Sequence, residues 1–483
     1  MTSTRTSLST TSSLSSSFPE LSANILPSSA TTVATLLSAN HSSHHCFFNT
    51  RGMHNHSAHQ LIADLTLSAT PSQLEQHYDY QIAHYLSDFR YSNRSAYDPH
   101  HASSTEQATK IEKINPDKWQ DHLGNARYYW SYLHFFDEQV QQLGFSQALE
   151  KYVLSRDANQ ANAKMLARFY GGVLHAWIHF GYALELTLNE LAGEALAMAS
   201  ATAAGHAWLF DYDWLFKVDC CSGQESGVLE LVDEIQQDER LSVQALRLSE
   251  HDSALPDAPF QSGRARGVIQ SYVDRWSSVS NVEKALGELS LFSALLLGAV
   301  PRQSDQRAYK HDFFLMHLNN SHLFTPLLLD AVPTQAHKLG LLRGLLAQFC
   351  WYYVCRGRPR FSAQNWIDQY NAQTVLDWDT MFLQATQNVD EHLPKAVRAL
   401  YVFERRYADM QPQLLESNLL TAQSKSQGDA WSAAASVFRY TASQMVRMHS
   451  GELQKSRYDA HAHSMAQSVG AHQEFWSFEP FLS

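Results

Sequence analysis

Histidines occur at four separate places in or beside apolar, helix-like segments of this chain of 483 residues. A neutral imidazole donates a nitrogen lone pair to iron, zinc, copper or nickel. Residues three or four apart share one face of a helix, and several helices can direct such groups at a single ion. The residues that could build a metal site in this way are His56 and His59, His175 and His179, His317, and His392 together with Lys395.

Lys395 is the unusual member of this set, because lysine is rarely a metal ligand. It follows His392 by three residues and shares its helix face. An ordinary lysine would lie along apolar surface with its ammonium group in water. A buried lysine loses its proton more readily, and the neutral amine reacts with carbon dioxide to give a carbamate, which is an anionic oxygen ligand. Both interpretations stay open, as does a hydrogen-bonded core or surface role for each histidine taken singly.

Two polar segments near the C-terminus imitate metal motifs. They are Asp459 to His463 and His472 to Glu474, and we interpret both as surface segments.

The elements that must position these residues are predicted to be helices. From residue 53 onward apolar residues recur at spacings of three and four, and strand-length alternation is nearly absent. The predicted helices cover 59–67, 74–86, 127–143, 145–155, 164–187, 189–203, 282–299, 312–332, 336–355, 373–386 and 390–408. We therefore predict an all-α fold, with a single large multi-helix domain over residues 46–483.

Residues 1–45 differ in composition, since serine and threonine dominate them. They contain no apolar stretch of the kind found in secretory signals. We predict a disordered leader and a cytoplasmic protein, although the leader could be a weak transit segment.

Charge and cysteine content exclude several classes of protein. The 36 basic and 48 acidic side chains give a net charge of −12, which disfavours nucleic acid as a partner. The most apolar run, Leu289 to Val300, is too short to span a membrane. Five cysteines without a CxxC pair indicate a reducing compartment. No GxGxxG or GxxxxGK motif supports a dinucleotide or nucleotide fold. A small molecule is the expected partner.

Together the histidine motifs resemble those of the questin oxidase-like family of fungal polyketide pathways, from about His54 to Arg405. The resemblance rests on HNH at 54–56, GGVLHAWIHFGYALE at 171–185, DFFLMH at 312–317 and DEHLPK at 390–395, with ARYYWSYLHFF at 126–136 in support. It implies an all-helical oxidoreductase that cleaves a ring of an anthraquinone-type aromatic polyketide by Baeyer–Villiger-type oxygen insertion.

The resemblance also implies a non-haem Fe(II) ion that works with dioxygen. Lys395 and His179 are then the candidate catalytic residues, with His179 as a supporting partner of the ligands. NADPH is a further candidate reductant. The implied metal ligands are His56, His175, His317, His392 and carboxylated Lys395.

Two other hypotheses stay open at this point. One is an NADPH-dependent Baeyer–Villiger monooxygenase without a protein-bound iron, and the other is a non-catalytic helical binding protein. Trp177, Phe180 and Tyr182 are either neighbours of a flat substrate or ordinary core residues.

Overall fold

The computed structural model describes residues 14–86, 89–100, 110–160, 162–217, 226–248, 263–298, 302–303, 309–359, 375–410, 436–450 and 476–477. Helices make up nearly all of the regular structure in these ranges. The first half contains α1 (Pro19–Ser22), α2 (Pro27–Ser43), α3 (Ser57–Thr66), α4 (Pro71–Gln81), α5 (Arg94–Tyr97), α6 (Tyr129–Leu149), α7 (Met165–Leu186), α8 (Asn189–Ala201), α9 (Tyr212–Leu215) and α10 (Val228–Gln237).

The second half continues with α11 (Val243–Leu246), α12 (Arg266–Asp274), α13 (Val282–Gly298), α14 (Phe313–His322), α15 (Thr325–Ala331), α16 (Gln335–Cys355), α17 (Trp378–Thr386), α18 (His392–Tyr407) and α19 (Val437–His449). Short π-helical turns at Ile82–Leu86 and Glu150–Leu154 extend α4 and α6.

Three short strands form the sheet of the described residues. They are β1 (Arg302–Gln303), β2 (Tyr309–Asp312) and β3 (Trp476–Ser477). The central strand β2 is antiparallel to β1 and parallel to β3. Because β2 leads directly into α14, this sheet fixes the start of one histidine helix. The predicted all-α fold with one domain is confirmed.

The helices enclose one continuous apolar core. Helix α8 packs extensively on both α6 and α7, and α18 packs on α3, α14 and α19. Helix α14 also contacts α7, and α3 contacts α7 as well. The four elements that carry the candidate ligands, α3, α7, α14 and α18, therefore meet inside the molecule.

Helix boundaries differ from the predicted ones where the backbone leaves helical geometry. The predicted break at residue 144 is a kink within α6, where Gly144 has φ +72°. The predicted helix over 312–332 ends at His322, and α15 resumes at Thr325. The predicted helix over 164–187 is interrupted in its middle, because Gly172, Val173 and Leu174 take left-handed φ values. Periodicity alone does not report such interruptions.

The leader predicted to be disordered over residues 1–45 does not hold for residues 14–45. Helix α2 lies within it and buries Val33 and Leu37. Its small apolar residues are sufficient because α2 packs on α3 and α4 rather than standing alone. Residues 1–13 lie outside the described part of the chain.

Among the described helices, none is both long enough and apolar enough to cross a membrane. The described cysteines Cys46, Cys350 and Cys355 are buried and are not joined in disulfides.

Candidate metal centre

Four imidazole rings from four different elements converge in the core. The ring centres of His56 and His175 are 4.8 Å apart, and those of His56 and His392 are 4.7 Å apart. His317 closes the group at 4.9 Å from His175 and 5.4 Å from His392. All four residues are at most 3 % exposed. The structure thus brings together the four histidines that the sequence motifs selected.

Hydrogen bonds of two rings and an ion-pair contact of a third indicate which nitrogen faces the centre. The Nδ1 atom of His175 donates to the Gly172 carbonyl at 2.5 Å, and that of His317 donates to the Phe313 carbonyl at 2.8 Å. The Nδ1 atom of His56 lies 2.9 Å from a carboxylate oxygen of Glu391. Carbonyl and carboxylate oxygens only accept, so each Nδ1 carries the hydrogen. In a neutral ring, each Nε2 is then left with a lone pair.

Two of these Nε2 atoms lie unusually close together. Those of His56 and His175 are 2.7 Å apart. One nitrogen from each of His56, His317 and His392 also lies within 4.8 Å of the others. Two lone pairs at this distance repel each other unless a cation contacts both. Nitrogens bound to one ion through bonds of about 2.1 Å at right angles are about 3 Å apart, which is close to this spacing.

Burial keeps the rings in the form that binds metals. It lowers the pKa of His56 and of His175 well below the ordinary value, and neighbouring rings and the charge of Lys395 lower both further. These imidazoles are therefore neutral at physiological pH, with their lone pairs available.

Lys395 lies one turn beyond His392 on α18 and is buried. Burial lowers the pKa of its amine to about 8, although the carboxylates of Glu391 and Asp390 partly oppose this. A lysine with this pKa is substantially neutral near pH 8, which is the state that a carbamate requires.

Aspartates begin the two helices that carry His317 and His392. The Asp312 carboxylate accepts from the backbone N–H groups of Phe314 and Leu315 at 2.9 and 3.0 Å. The Asp390 carboxylate accepts from those of His392 and Leu393, both at 3.0 Å. Caps of this kind satisfy the free N–H groups of a first turn. They explain why both histidine motifs open with aspartate.

The HNH motif positions the other two rings. Asn55 accepts from the Ser57 N–H and starts α3, so that His56 stands at the head of the helix. The His54 ring stacks on His175 with centres 4.1 Å apart and planes 3° from parallel. A Cβ atom at Gly172 would lie 2.6 Å from the His54 ring, so glycine is required there.

The second candidate catalytic residue, His179, lies beside the four rings rather than among them. Its Nδ1 is 3.0 Å from Nε2 of His59, and its Nε2 is 2.9 Å from Glu194. Both of its nitrogens therefore have partners in the protein. The supporting role of His179 stays a prediction.

The three aromatic residues of the α7 motif have different surroundings. Trp177 donates to the Ser321 carbonyl and stacks on Tyr170, while Phe180 packs on Phe169. These two are core residues. Tyr182 stacks on His59 with ring centres 5.1 Å apart and so lies next to the site.

Sequence reasoning missed the groups that orient the rings. Glu391 contacts His56, and Trp476 donates to the Asp390 carboxylate at 3.1 Å. Glu391 stands inside the quoted DEHLPK motif, which is a signal that could have identified it. The two decoy segments, 459–463 and 472–474, lie outside the described residues.

The fold and site define an all-helical protein with a buried polyhistidine centre, and comparison with known proteins gives its family. The model of the questin oxidase-like family matches residues 53–400. The chain therefore belongs to the questin oxidase-like family.

Three relatives illustrate the similarity. The Baeyer-Villiger oxidase AgnL3 of Paecilomyces divaricatus is 28% identical, covering 80% of this chain and 82% of the relative. The Baeyer-Villiger monooxygenase dmxR6 of Cryptosporiopsis sp. is 26% identical over 78% and 82% of the two chains. The questin oxidase of Aspergillus fumigatus is 25% identical over 77% and 80%. The protein is accordingly an enzyme, an oxidoreductase.

Proposed function

We propose that this enzyme is a non-haem iron oxygenase that opens a ring of an anthraquinone-type aromatic polyketide by Baeyer–Villiger-type oxygen insertion. The proposed ligands of Fe(II) are His56, His175, His317, His392 and carboxylated Lys395. An octahedral ion with these five donors retains one open position.

The observation that best supports a bound metal ion is the short distance between the Nε2 atoms of His56 and His175. Nδ1 of His175 donates to the Gly172 carbonyl, Nδ1 of His56 lies 2.9 Å from a Glu391 carboxylate oxygen, and the two Nε2 atoms are 2.7 Å apart. A bound cation replaces this repulsion by two favourable bonds. The donor chemistry of this chain thus fits a metal ion.

The identity of the metal follows from the donors and from the reaction class. Imidazole nitrogens suit iron, zinc, copper and nickel. Zinc has no redox chemistry, whereas the relatives are named oxidases and monooxygenases. An anionic carbamate oxygen at Lys395 favours iron over copper, which prefers fewer and softer donors. Bound Fe(II) supplies a place where dioxygen is activated by electron transfer.

The substrate class follows from the names of the relatives, which include questin oxidases and Baeyer-Villiger oxidases. The protein's own contribution is to hold and shield the reactants. Phe313 packs on both His317 and His392, with ring centres 4.7 and 4.9 Å away. Such apolar walls exclude water from the reacting atoms.

The source of electrons separates two forms of this proposal. Insertion of one atom of dioxygen requires two electrons that reduce the other atom to water, and NADPH is the proposed donor for a monooxygenase. A reduced, hydroquinone-like substrate supplies these electrons itself, and no NADPH is then consumed. Counting NADPH oxidised per dioxygen consumed distinguishes the two forms.

Metal analysis of purified protein tests the iron proposal. We expect about one iron per chain, with His317→Ala losing it and losing oxygen uptake with an anthraquinone. His322→Ala is the matched control, because His322 is also buried on α14 but bonds to Leu286, Ser290 and Thr325 instead. Full activity in metal-free protein, or equal iron in the two variants, would contradict the proposal.

A further inference from the structure

A row of polar side chains, each within about 3 Å of the next, leads away from the histidine cluster toward the surface. Nε2 of His59 is 3.0 Å from Nδ1 of His179, and Nε2 of His179 is 2.9 Å from Glu194. The other oxygen of Glu194 is 2.7 Å from Nδ1 of His41, and Nε2 of His41 is 3.1 Å from Asp137. The inner end is adjacent to the cluster, because the ring of His59 lies 6.0 Å from that of His175.

Exposure rises steadily along this row. His59 is fully buried. The side chains of His179 and Glu194 are 3 % and 5 % exposed, and those of His41 and Asp137 reach 17 % and 34 %. The row therefore joins the buried centre to solvent.

We propose that His59, His179, Glu194, His41 and Asp137 form a proton relay that carries a substrate proton from the buried centre to solvent. This inference rests on the proposed function, because a phenolic anthraquinone must lose a proton in the core to become an electron-rich phenolate. Removing that proton leaves the negative charge beside the metal and returns the proton to water at Asp137.

The carboxylate of Glu194 determines the direction of the relay. A carboxylate only accepts, so Nε2 of His179 and Nδ1 of His41 both carry hydrogen. The remaining Nδ1 of His179 then accepts from Nε2 of His59 at 3.0 Å. This leaves Nδ1 of His59 with a lone pair, and that buried atom has no hydrogen-bond partner among the described residues. It is the acceptor for the incoming proton.

One proton enters the relay for each proton that leaves it. As Nδ1 of His59 takes the substrate proton, Nε2 of His59 gives its own to His179, and Nε2 of His179 gives its own to Glu194. His41 carries hydrogen on both nitrogens, and its Nε2 proton leaves for Asp137 and water, so that Glu194 and His41 both become neutral. A turn of the His41 ring then lets the bare Nε2 take the proton from Glu194, ring flips of His59 and His179 restore their starting forms, and no electron moves.

Charge and packing hold the outer half of the relay together. Burial opposes ionisation of His41 and Glu194, but their hydrogen bonds outweigh it. The pKa of His41 is raised to about 10 and that of Glu194 is lowered to about 2. Gly193 lets α6 approach, because a Cβ atom there would lie 2.1 Å from the Asp137 carboxylate. The position next to Glu194 must therefore be glycine for Asp137 to reach His41.

The test measures how fast a bound dihydroxyanthraquinone ionises. Iron-loaded protein without oxygen is mixed with this probe in a stopped-flow instrument, and the red-shifted absorption of the phenolate is followed. We expect His41→Gly to slow phenolate formation at least tenfold without weakening binding. Imidazole in the buffer fills the gap left by His41 and restores the rate to within about twofold. Asp137→Asn, a mild change at a partly exposed position, slows it as well.

His77→Gly is the matched control, because His77 is also buried and pairs with a carboxylate, Asp64, at 2.8 Å, outside the relay. We expect it to ionise the probe at the wild-type rate, with or without imidazole. Wild-type rates in both His41→Gly and Asp137→Asn would overturn the relay, and so would slowing that imidazole does not reverse. The iron content and oxygen uptake of the wild-type protein test the proposed function separately. If the wild type took up no oxygen but His41→Gly and Asp137→Asn still slowed ionisation of the probe, the oxygenase proposal would be wrong and the relay would stand.

Discussion

At Lys395 the chemistry depends on whether one amine is neutral. Burial lowers its pKa to about 8, so about half of these amines are neutral at pH 8, where less than about 1 % of ordinary lysines are. Neutral amine increases as the pH rises, and only that form takes up carbon dioxide. In metal-free protein we expect a carbamate signal from ¹³C-labelled bicarbonate that is strong at pH 9 and weak at pH 6.5.

We expect Lys395→Ala to remove this carbamate signal. If the proposed function is correct, the variant also loses most of its iron, and acetate partly restores the iron by replacing the carbamate oxygen. Lys284→Ala is the control, because Lys284 is half exposed and its ammonium lies 3.8 Å from Glu288. A carbamate signal that persists in Lys395→Ala, or unchanged iron in that variant, would exclude Lys395 from the centre.

The sequence motifs selected the four converging histidines but not the atoms that orient them. The roles of His56 and His175 depend on Glu391 and on the Gly172 carbonyl. A helix periodicity shows which residues share a face, yet it contains no information about a partner on another helix. The relay residues Glu194 and His41 were missed for the same reason, since their proximity to His179 exists only after α2, α7 and α8 have packed.

At the scale of the element, the left-handed turn at Gly171–Leu174 directs His175. Gly172 has φ +57°, and Val173 and Leu174 follow in the same region. Non-glycine residues there cost about 1–2 kcal/mol each. The turn interrupts α7 and frees the Gly172 carbonyl, which accepts from the ring of His175. Helical periodicity over 164–187 predicted the helix correctly on both sides but not this turn, whose only local signal is the Gly-Gly pair.

Gly172→Ala tests the turn. The new methyl group combines a positive φ with a contact of 2.6 Å to the His54 ring. We expect the free energy of unfolding to fall by about 1–3 kcal/mol, together with a loss of bound iron, because His54 stacks on His175. Urea denaturation followed by circular dichroism gives the first quantity and metal analysis the second.

Gly267→Ala is the matched control for this substitution. Gly267 lies in α12 with ordinary φ, and a Cβ atom there would meet nothing within 4 Å. Alanine should leave the protein as stable as before, or stabilise it by up to about 1 kcal/mol. Equal behaviour of the two variants would show that the turn at Gly172 imposes no special requirement.

At the scale of the whole molecule, the N-terminal segment closes the fold over the site helices. Ser16 donates to the Glu185 carboxylate at 2.5 Å, and Glu185 receives Arg398 at 2.7 Å. Glu20 pairs with Arg406 at 2.8 Å. Since Glu185 lies on α7 and Arg398 on α18, the segment ties together two of the four ligand-bearing elements. The serine-rich composition of this segment predicted disorder. That prediction was wrong for residues 14–45, because composition contains no information about the packing partners that the rest of the chain supplies.

Truncation measures how much the molecule depends on this segment. A chain that begins at Cys46 loses α1 and α2 and with them the buried side chains of Phe18, Leu21, Val33 and Leu37. At about 1.5–3 kcal/mol each, these four account for about 6–12 kcal/mol, which is comparable to the whole stability of a typical domain. We expect this chain to show no cooperative thermal unfolding, whereas a chain that begins at Leu14 keeps every contact described above and unfolds cooperatively. If the shorter chain retained the same unfolding midpoint and its iron, residues 14–45 would be an appendage that α7 and α18 do not need in order to pack at the site.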